Sequence, residues 1–176
     1  TSRKIFGTVG DGTWLSNIEA DRAGFGPTNL ATGTVGRYTM LVPRTNYPAA
    51  APGGFGYGLI TNSLLGKIVL SGKTGDGTLL SQSVPMSKDG NWPLYVPLYR
   101  NTNTFTKTDY RGALMGWVQF ISSTNPPIGN DLSWIKTAVP TSDSFNVNYF
   151  YPAGFTNLVD LITSPFNPPP TGTPLF

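Results

Sequence analysis

The chain has 176 residues, with 12 Lys+Arg against 9 Asp+Glu and no His or Cys. A domain of this size buries roughly 70% of its unfolded surface, so a core can form without disulfides. The missing His and Cys exclude disulfide, thiolate, Ser-His-Asp and His-zinc chemistry.

Charged residues make up 12% of the chain, about half the usual quarter. Hydroxyls and amides must then carry the solubility, as in an extracellular or surface-exposed β protein. The basic residues are scattered, with only Arg3 and Lys4 adjacent, and a net charge of +3 is too thin for a phosphate footprint. No nucleic acid is expected as a partner, and no apolar run approaches the ~18 residues of a membrane span. Without an initiating Met at Thr1, the chain is expected to be a processed product or a piece of a longer one.

Taken in chain order, short apolar runs broken by Gly, Pro and Asx predict strands near residues 3–9, 35–42, 55–61, 65–72, 78–86, 92–99, 112–121, 133–139 and 145–151. One segment reads as a short helix, because Ser16-Asn-Ile-Glu19 fits a capping box and Gly24 can close the helix after Ala23. Asp-Gly pairs at Asp11, Asp76 and Asp89 supply the positive φ that tight hairpins need, and make 65–72, 78–86 and 92–99 a meander. The fold class is therefore all-β: an antiparallel barrel or closed sandwich of about eight or nine strands. It is expected to occupy residues 1–157 as one domain, with 158–176 as a Pro-rich extended tail or linker.

Gly7–Ser16 and Gly72–Ser81 echo each other around Gly-Asp-Gly-Thr. A calcium loop needs several oxygens at fixed spacing, and each copy offers one carboxylate, so the echo reads as one hairpin turn used twice. No metal site and no cofactor is expected. Glu19, Asp21, Asp109, Asp131, Asp143 and Asp160 are the carboxylates outside Asp-Gly turns, and only Asp160 lies in an apolar stretch. No catalytic residue is assigned, since a carboxylate pair needs a tuned acid that nothing here marks.

The densest run is Asn91-Trp-Pro-Leu-Tyr-Val-Pro-Leu-Tyr99. Period two puts Trp92, Leu94, Val96 and Leu98 on a core face and Pro93, Tyr95, Pro97 and Tyr99 on the other, where proline marks an edge or a bulge. Leu114-Met-Gly-Trp-Val-Gln-Phe120 is apolar on both faces. Tyr95, Tyr99 and Trp117 form the candidate binding surface, with close packing of the same rings as the competing reading. Gly54-Phe-Gly-Tyr-Gly58 lets another backbone approach or a strand bend. In the tail, Pro165, Phe166, Pro168, Pro169 and Pro170 are the candidate docking segment, lying on this fold or on a neighbour.

Ala20-Asp-Arg-Ala23, Gly36-Arg-Tyr-Thr-Met-Leu-Val-Pro43, Gly56-Tyr-Gly58, Ser71-Gly-Lys-Thr-Gly-Asp-Gly-Thr78, Ser81-Gln-Ser83, Ser87-Lys-Asp-Gly90, Trp92-Pro-Leu-Tyr95, Leu114-Met-Gly-Trp117, Leu132-Ser-Trp-Ile-Lys136 and Tyr151-Pro-Ala-Gly-Phe155 follow in that order. In this order the chain resembles an uncharacterised Gly/Thr-rich β module of large secreted and surface proteins of environmental bacteria. The resemblance implies an extracellular, barrel-like domain, brings no catalytic residues, and marks Asn101–Thr108 as an insertion-like loop.

These readings converge on a non-enzymatic extracellular structural or adhesive module. It is expected to self-associate or meet neighbouring domains of a surface assembly or filament, its tail docking on a neighbour. The alternatives are a carbohydrate-binding module using exposed Tyr and Trp, with glycans as partners, and a small-ligand-binding barrel.

Overall fold

The computed structural model describes residues 4–43, 51–101, 109–120, 126–139 and 151–172. Ten strands run in order: β1 (Lys4–Gly10), β2 (Leu15–Asp21), β3 (Gly36–Val42), β4 (Gly56–Asn62), β5 (Lys67–Lys73), β6 (Leu79–Pro85), β7 (Asn91–Asn101), β8 (Asp109–Gln119), β9 (Gly129–Lys136) and β10 (Phe155–Pro165). There is no helix among the described residues. β1 and β2 form a separate two-stranded ribbon, and the other eight form one antiparallel sheet in the order β6-β5-β4-β3-β10-β9-β8-β7. Apart from β3 and β10, which close the ring, every neighbour in that sheet is also a neighbour in sequence. The architecture is therefore an up-and-down barrel left unzipped between β6 and β7.

Alternation builds the core. In β3 the inward residues Tyr38, Met40 and Val42 are buried while Thr39 and Leu41 face out. Ile60, Ile68, Leu70, Leu80, Trp92 and Leu132 continue the same packed interior around the ring. Tyr38 meets Phe120 edge-to-face at 5.8 Å. Gly58 and Gly72 are paired across β4 and β5, and a Cβ on either would come within 2.6 Å of a neighbouring carbonyl oxygen. This stretch accepts no side chain, which is why the Gly54–Gly58 run is glycine on one side and places Phe55 and Tyr57 outside.

The three Asp-Gly pairs all make turns, with φ of 95° at Gly12, 83° at Gly77 and 82° at Gly90. In the two echoed loops the aspartate does the same work, since Asp11 Oδ1 accepts the Thr13 amide at 2.9 Å and Asp76 Oδ1 the Thr78 amide at 3.1 Å. One turn motif serves two hairpins.

The meander of β5, β6 and β7 holds in spatial order, but its second half lacks a backbone ladder. Instead Gln82 bridges the seam, donating to the Pro93 carbonyl at 2.9 Å and accepting the Trp92 indole N–H at 2.8 Å. A residue's N and C=O point to the same side of an extended strand. The Pro93 carbonyl faces β6, so its missing donor faces β6 too, as does that of Pro97 four residues on.

Two expectations fail. The segment 16–23 is strand and turn, not helix, because Leu15–Asp21 pairs along its length with Lys4–Gly10 and Lys4 bridges Glu19 and Asp21. The extension does not begin at 158, because Leu158–Pro165 belong to β10, inserted between β9 and β3. Val159, Leu161 and Thr163 point inward in strict alternation. The predicted strand at 145–151 and the loop Thr102–Thr108 lie, apart from Tyr151, outside the described residues.

Candidate interaction surfaces

The three aromatic residues singled out in the sequence do not share one surface. Tyr95 and Trp117 lie on the outer face of β7 and β8, 57% and 43% exposed. They occupy diagonal positions, with Tyr95 opposite Met115 and Trp117 opposite Pro93. Diagonal neighbours of this kind are within reach for aromatic rings. Trp117 and Pro93 also line a cleft of about 230 Å³ between the seam and the root of the ribbon.

Tyr99 is elsewhere: it is 5% exposed. Its φ of 57° breaks the alternation of β7, so Leu98 and Tyr99 both point inward. The Tyr99 hydroxyl donates to Asp76 Oδ2 at 2.7 Å and accepts the Trp134 indole N–H at 3.0 Å. Burial, reinforced by the Asp76 charge, pushes its pKa well above the ordinary tyrosine value. This hydroxyl is committed to structure, its one donor and one of its acceptor positions being taken inside the fold.

Around it lies a polar plug at the barrel end that carries the β5–β6 turn. Thr74 Oγ1 donates to Asp76 Oδ1. Lys136 is buried, donates to the Tyr151 carbonyl at 3.1 Å, and holds its ammonium 5.4 Å from the Tyr99 ring centre. Burial lowers the Lys136 pKa, partly offset by Asp76. Phe155 packs edge-to-face on Tyr99, Trp134 and Tyr151. A cleft of about 470 Å³ opens outside this plug, between Asp76, Pro97, Arg100 and Tyr110.

Glu19, Asp21 and Asp160 serve local structure. Glu19 and Asp21 meet Lys4 on the ribbon, and Asp21 also accepts Asn91 Nδ2 at 2.7 Å. Asp160 lies opposite a bulge in β9, where Asn130 and Asp131 face it alone, and its Oδ1 accepts the Asp131 amide at 3.2 Å. Among the described residues no three His, Cys, Asp or Glu side chains gather into a metal-binding group. No helix among them is long and apolar enough to cross a membrane.

At the C-terminus, Pro165 is the last paired residue of β10 and Phe166 donates its amide to the Arg37 carbonyl at 2.8 Å. Beyond that bond Pro168, Pro169 and Pro170 leave the sheet and are exposed.

Sequence reading missed the ribbon as a surface. Residues Ile5 to Ala20 are all exposed. One face of the ribbon carries Lys4, Phe6, Leu15, Glu19 and Asp21; the other carries Ile5, Val9, Ile18 and Ala20, with Gly7 and Ser16 and no charge. The Asp11-Gly12 turn following the strand predicted at 3–9 was the available signal for a returning strand, and the capping-box pattern at Ser16–Glu19 competed with it. No family model, no curated protein and no solved structure matches the chain.

Proposed function

We propose that this chain is a non-enzymatic, extracellular structural or adhesive module that works through its outer surfaces, as a subunit of a surface assembly or filament. The observation that carries the reading is the ribbon. A two-stranded ribbon alone in water is marginal, and this one presents an uncharged, largely apolar face that is exposed along its length. Low charge and abundant hydroxyls fit a matrix or surface setting. The exposed Pro168–Pro170 segment is a second projecting element, extended and low in conformational entropy, suited to lying in a neighbour's groove. Tyr99 does not contribute to such a groove; Tyr95 and Trp117 are the rings available for it.

The full chain is expected to self-associate with rising concentration, read by sedimentation and by negative-stain electron microscopy. Removing the residues after Ser164 is expected to leave a folded barrel with weaker association. Equal association of the truncated and full chains would remove the tail from the account.

Carbohydrate binding is the second reading, favoured by the outward placement of Tyr95 and Trp117 on one face. A small-ligand barrel is the least favoured reading, because Trp92, Leu94, Val96, Leu132 and Leu161 belong to the packed core.

A further inference from the structure

The outer wall of strands β3 to β7 is cationic. Those strands carry Arg37, Lys67, Lys73 and Arg100 and no carboxylate. All four side chains are exposed, and none of their charged groups is held by an ion pair or hydrogen bond among the described residues. Two of them stand directly across a strand pair from an exposed tyrosine: Lys73 opposite Tyr57 on β5 and β4, and Arg100 opposite Tyr110 on β7 and β8. Residues so opposed are close enough to touch one ligand together.

Each tyrosine–cation pair opens on a cleft. Tyr57 and Lys73 line one of about 570 Å³ with Leu59 and Leu79; Tyr110 and Arg100 line one of about 470 Å³ with Pro97 and Leu79. The two clefts adjoin at Leu79, and both lie within the ~300–1,000 Å³ range of sites that take a compact group. Asp76 is the one acid among their described lining residues, and Thr74, Thr78 and Tyr99 already engage its carboxylate. The Asp76–Tyr99 bond also ties the β5–β6 turn to β7, so it fixes the two walls of the second cleft against each other.

We propose that these adjoining clefts bind an acidic polysaccharide, with one carboxylate-bearing sugar ring in each. The inference rests on the reading of the chain as an adhesive module that works through its outer surfaces, and it names the ligand class. A pyranose ring has an apolar C–H face and a polar rim. Its C–H face packs on the electron-rich face of a tyrosine ring, while a carboxylate on the rim meets the cation beside that ring. Arg100 can hold the carboxylate through two parallel bonds and Lys73 holds it as a point charge. A neutral sugar would leave both cations without a partner. A phosphate backbone asks for many more basic contacts than two isolated ones. Repetition of the pair in neighbouring clefts suits a polymer whose charge repeats along its length.

Calorimetric titration of the full chain, kept dilute, with a galacturonate oligomer tests this. Binding is expected to weaken as salt rises and to exceed that of a neutral malto-oligosaccharide of equal length at least about tenfold. Lys73→Gln with Arg100→Gln, and separately Tyr57→Ala with Tyr110→Ala, are each expected to lower the affinity at least about tenfold. These changes alter exposed side chains, so both variants are expected to melt like the parent. Lys88→Gln removes a charge at the β6–β7 turn, at the opposite end of β6, and is expected to leave the affinity unchanged. No binding, equal binding of the neutral oligomer, or equal affinity in the double variants would overturn the proposal. So would a polyphosphate that binds as tightly and is indifferent to the tyrosine changes, which would show a general anion surface. Sedimentation without glycan reads self-association separately, so a chain that assembles but binds no oligomer loses the ligand and keeps the assembly.

Discussion

At Tyr99 the backbone adopts a left-handed conformation that a bulky L-residue pays for with about 1–3 kcal/mol. What holds it is the hydroxyl, shared between the Asp76 carboxylate and the Trp134 indole. Tyr99→Phe leaves the buried Trp134 indole unpaired and the half-buried Asp76 short of a bond, so it is expected to cost about 1–3 kcal/mol in urea unfolding. A variant as stable as the parent would show that the bonds are dispensable. This residue also marks where reading by period two stops. Tyr95 lies outside as alternation predicts, but nothing in the sequence signals that Tyr99 inverts, because positive φ in a non-glycine residue is set by tertiary contacts rather than by local preference. Asp160 was singled out for its apolar surroundings; those belong to a strand, and its carboxylate secures a bulge.

Among the elements, eight of the described strands were legible from apolar runs and turn residues, and all three Asp-Gly pairs turn the chain. Two elements were hidden for different reasons. β2 matched a capping box by chance, and its pairing with β1 decides the outcome over a weak local preference. β10 was absorbed into a proline-rich tail because the prolines that follow Ser164 dominate the composition and Leu158-Val-Asp-Leu-Ile-Thr163 shows no apolar–polar alternation, although burial alternates along it. The seam between β6 and β7 follows from residues already visible: Pro93 and Pro97 cannot donate, and Gln82 takes over. Gln82→Leu removes both bridging bonds and leaves the buried Trp92 indole unpaired, with an expected loss of about 1–3 kcal/mol by denaturant titration. Unchanged stability would show that packing alone holds the seam.

The ribbon has its own pH dependence. Asp11 is held at about 2 by bonds from Thr13, and Asp21 is lowered chiefly by Asn91 at the ribbon root. Both are depressed, so the folded ribbon binds protons less readily than the unfolded chain. Their stabilisation is complete above the ordinary aspartate value of about 4 and is lost as pH falls toward 2. Amide protection in residues 4–21 is expected to fall over that window before protection in the barrel does. Parallel loss in both would contradict a separately anchored ribbon.

For the whole molecule, composition already indicated an all-β chain with a real core and no need for disulfides, and the barrel bears this out. What composition could not reveal is which apolar residues stay outside. Exposed apolar residues are ordinary when scattered; here register places Ile5, Val9 and Ile18 on one ribbon face and gathers Leu41, Tyr57 and Ile162 into one row on the barrel. Register is a property of pairing, and one-dimensional patterns do not display it. The unsupported ribbon is the physical case for a chain that completes itself in an assembly.

The most direct measurement is sedimentation velocity of the full chain over a wide concentration range at low and high salt. The species distribution is expected to grow with concentration. A single monomeric boundary at every concentration and salt would contradict it.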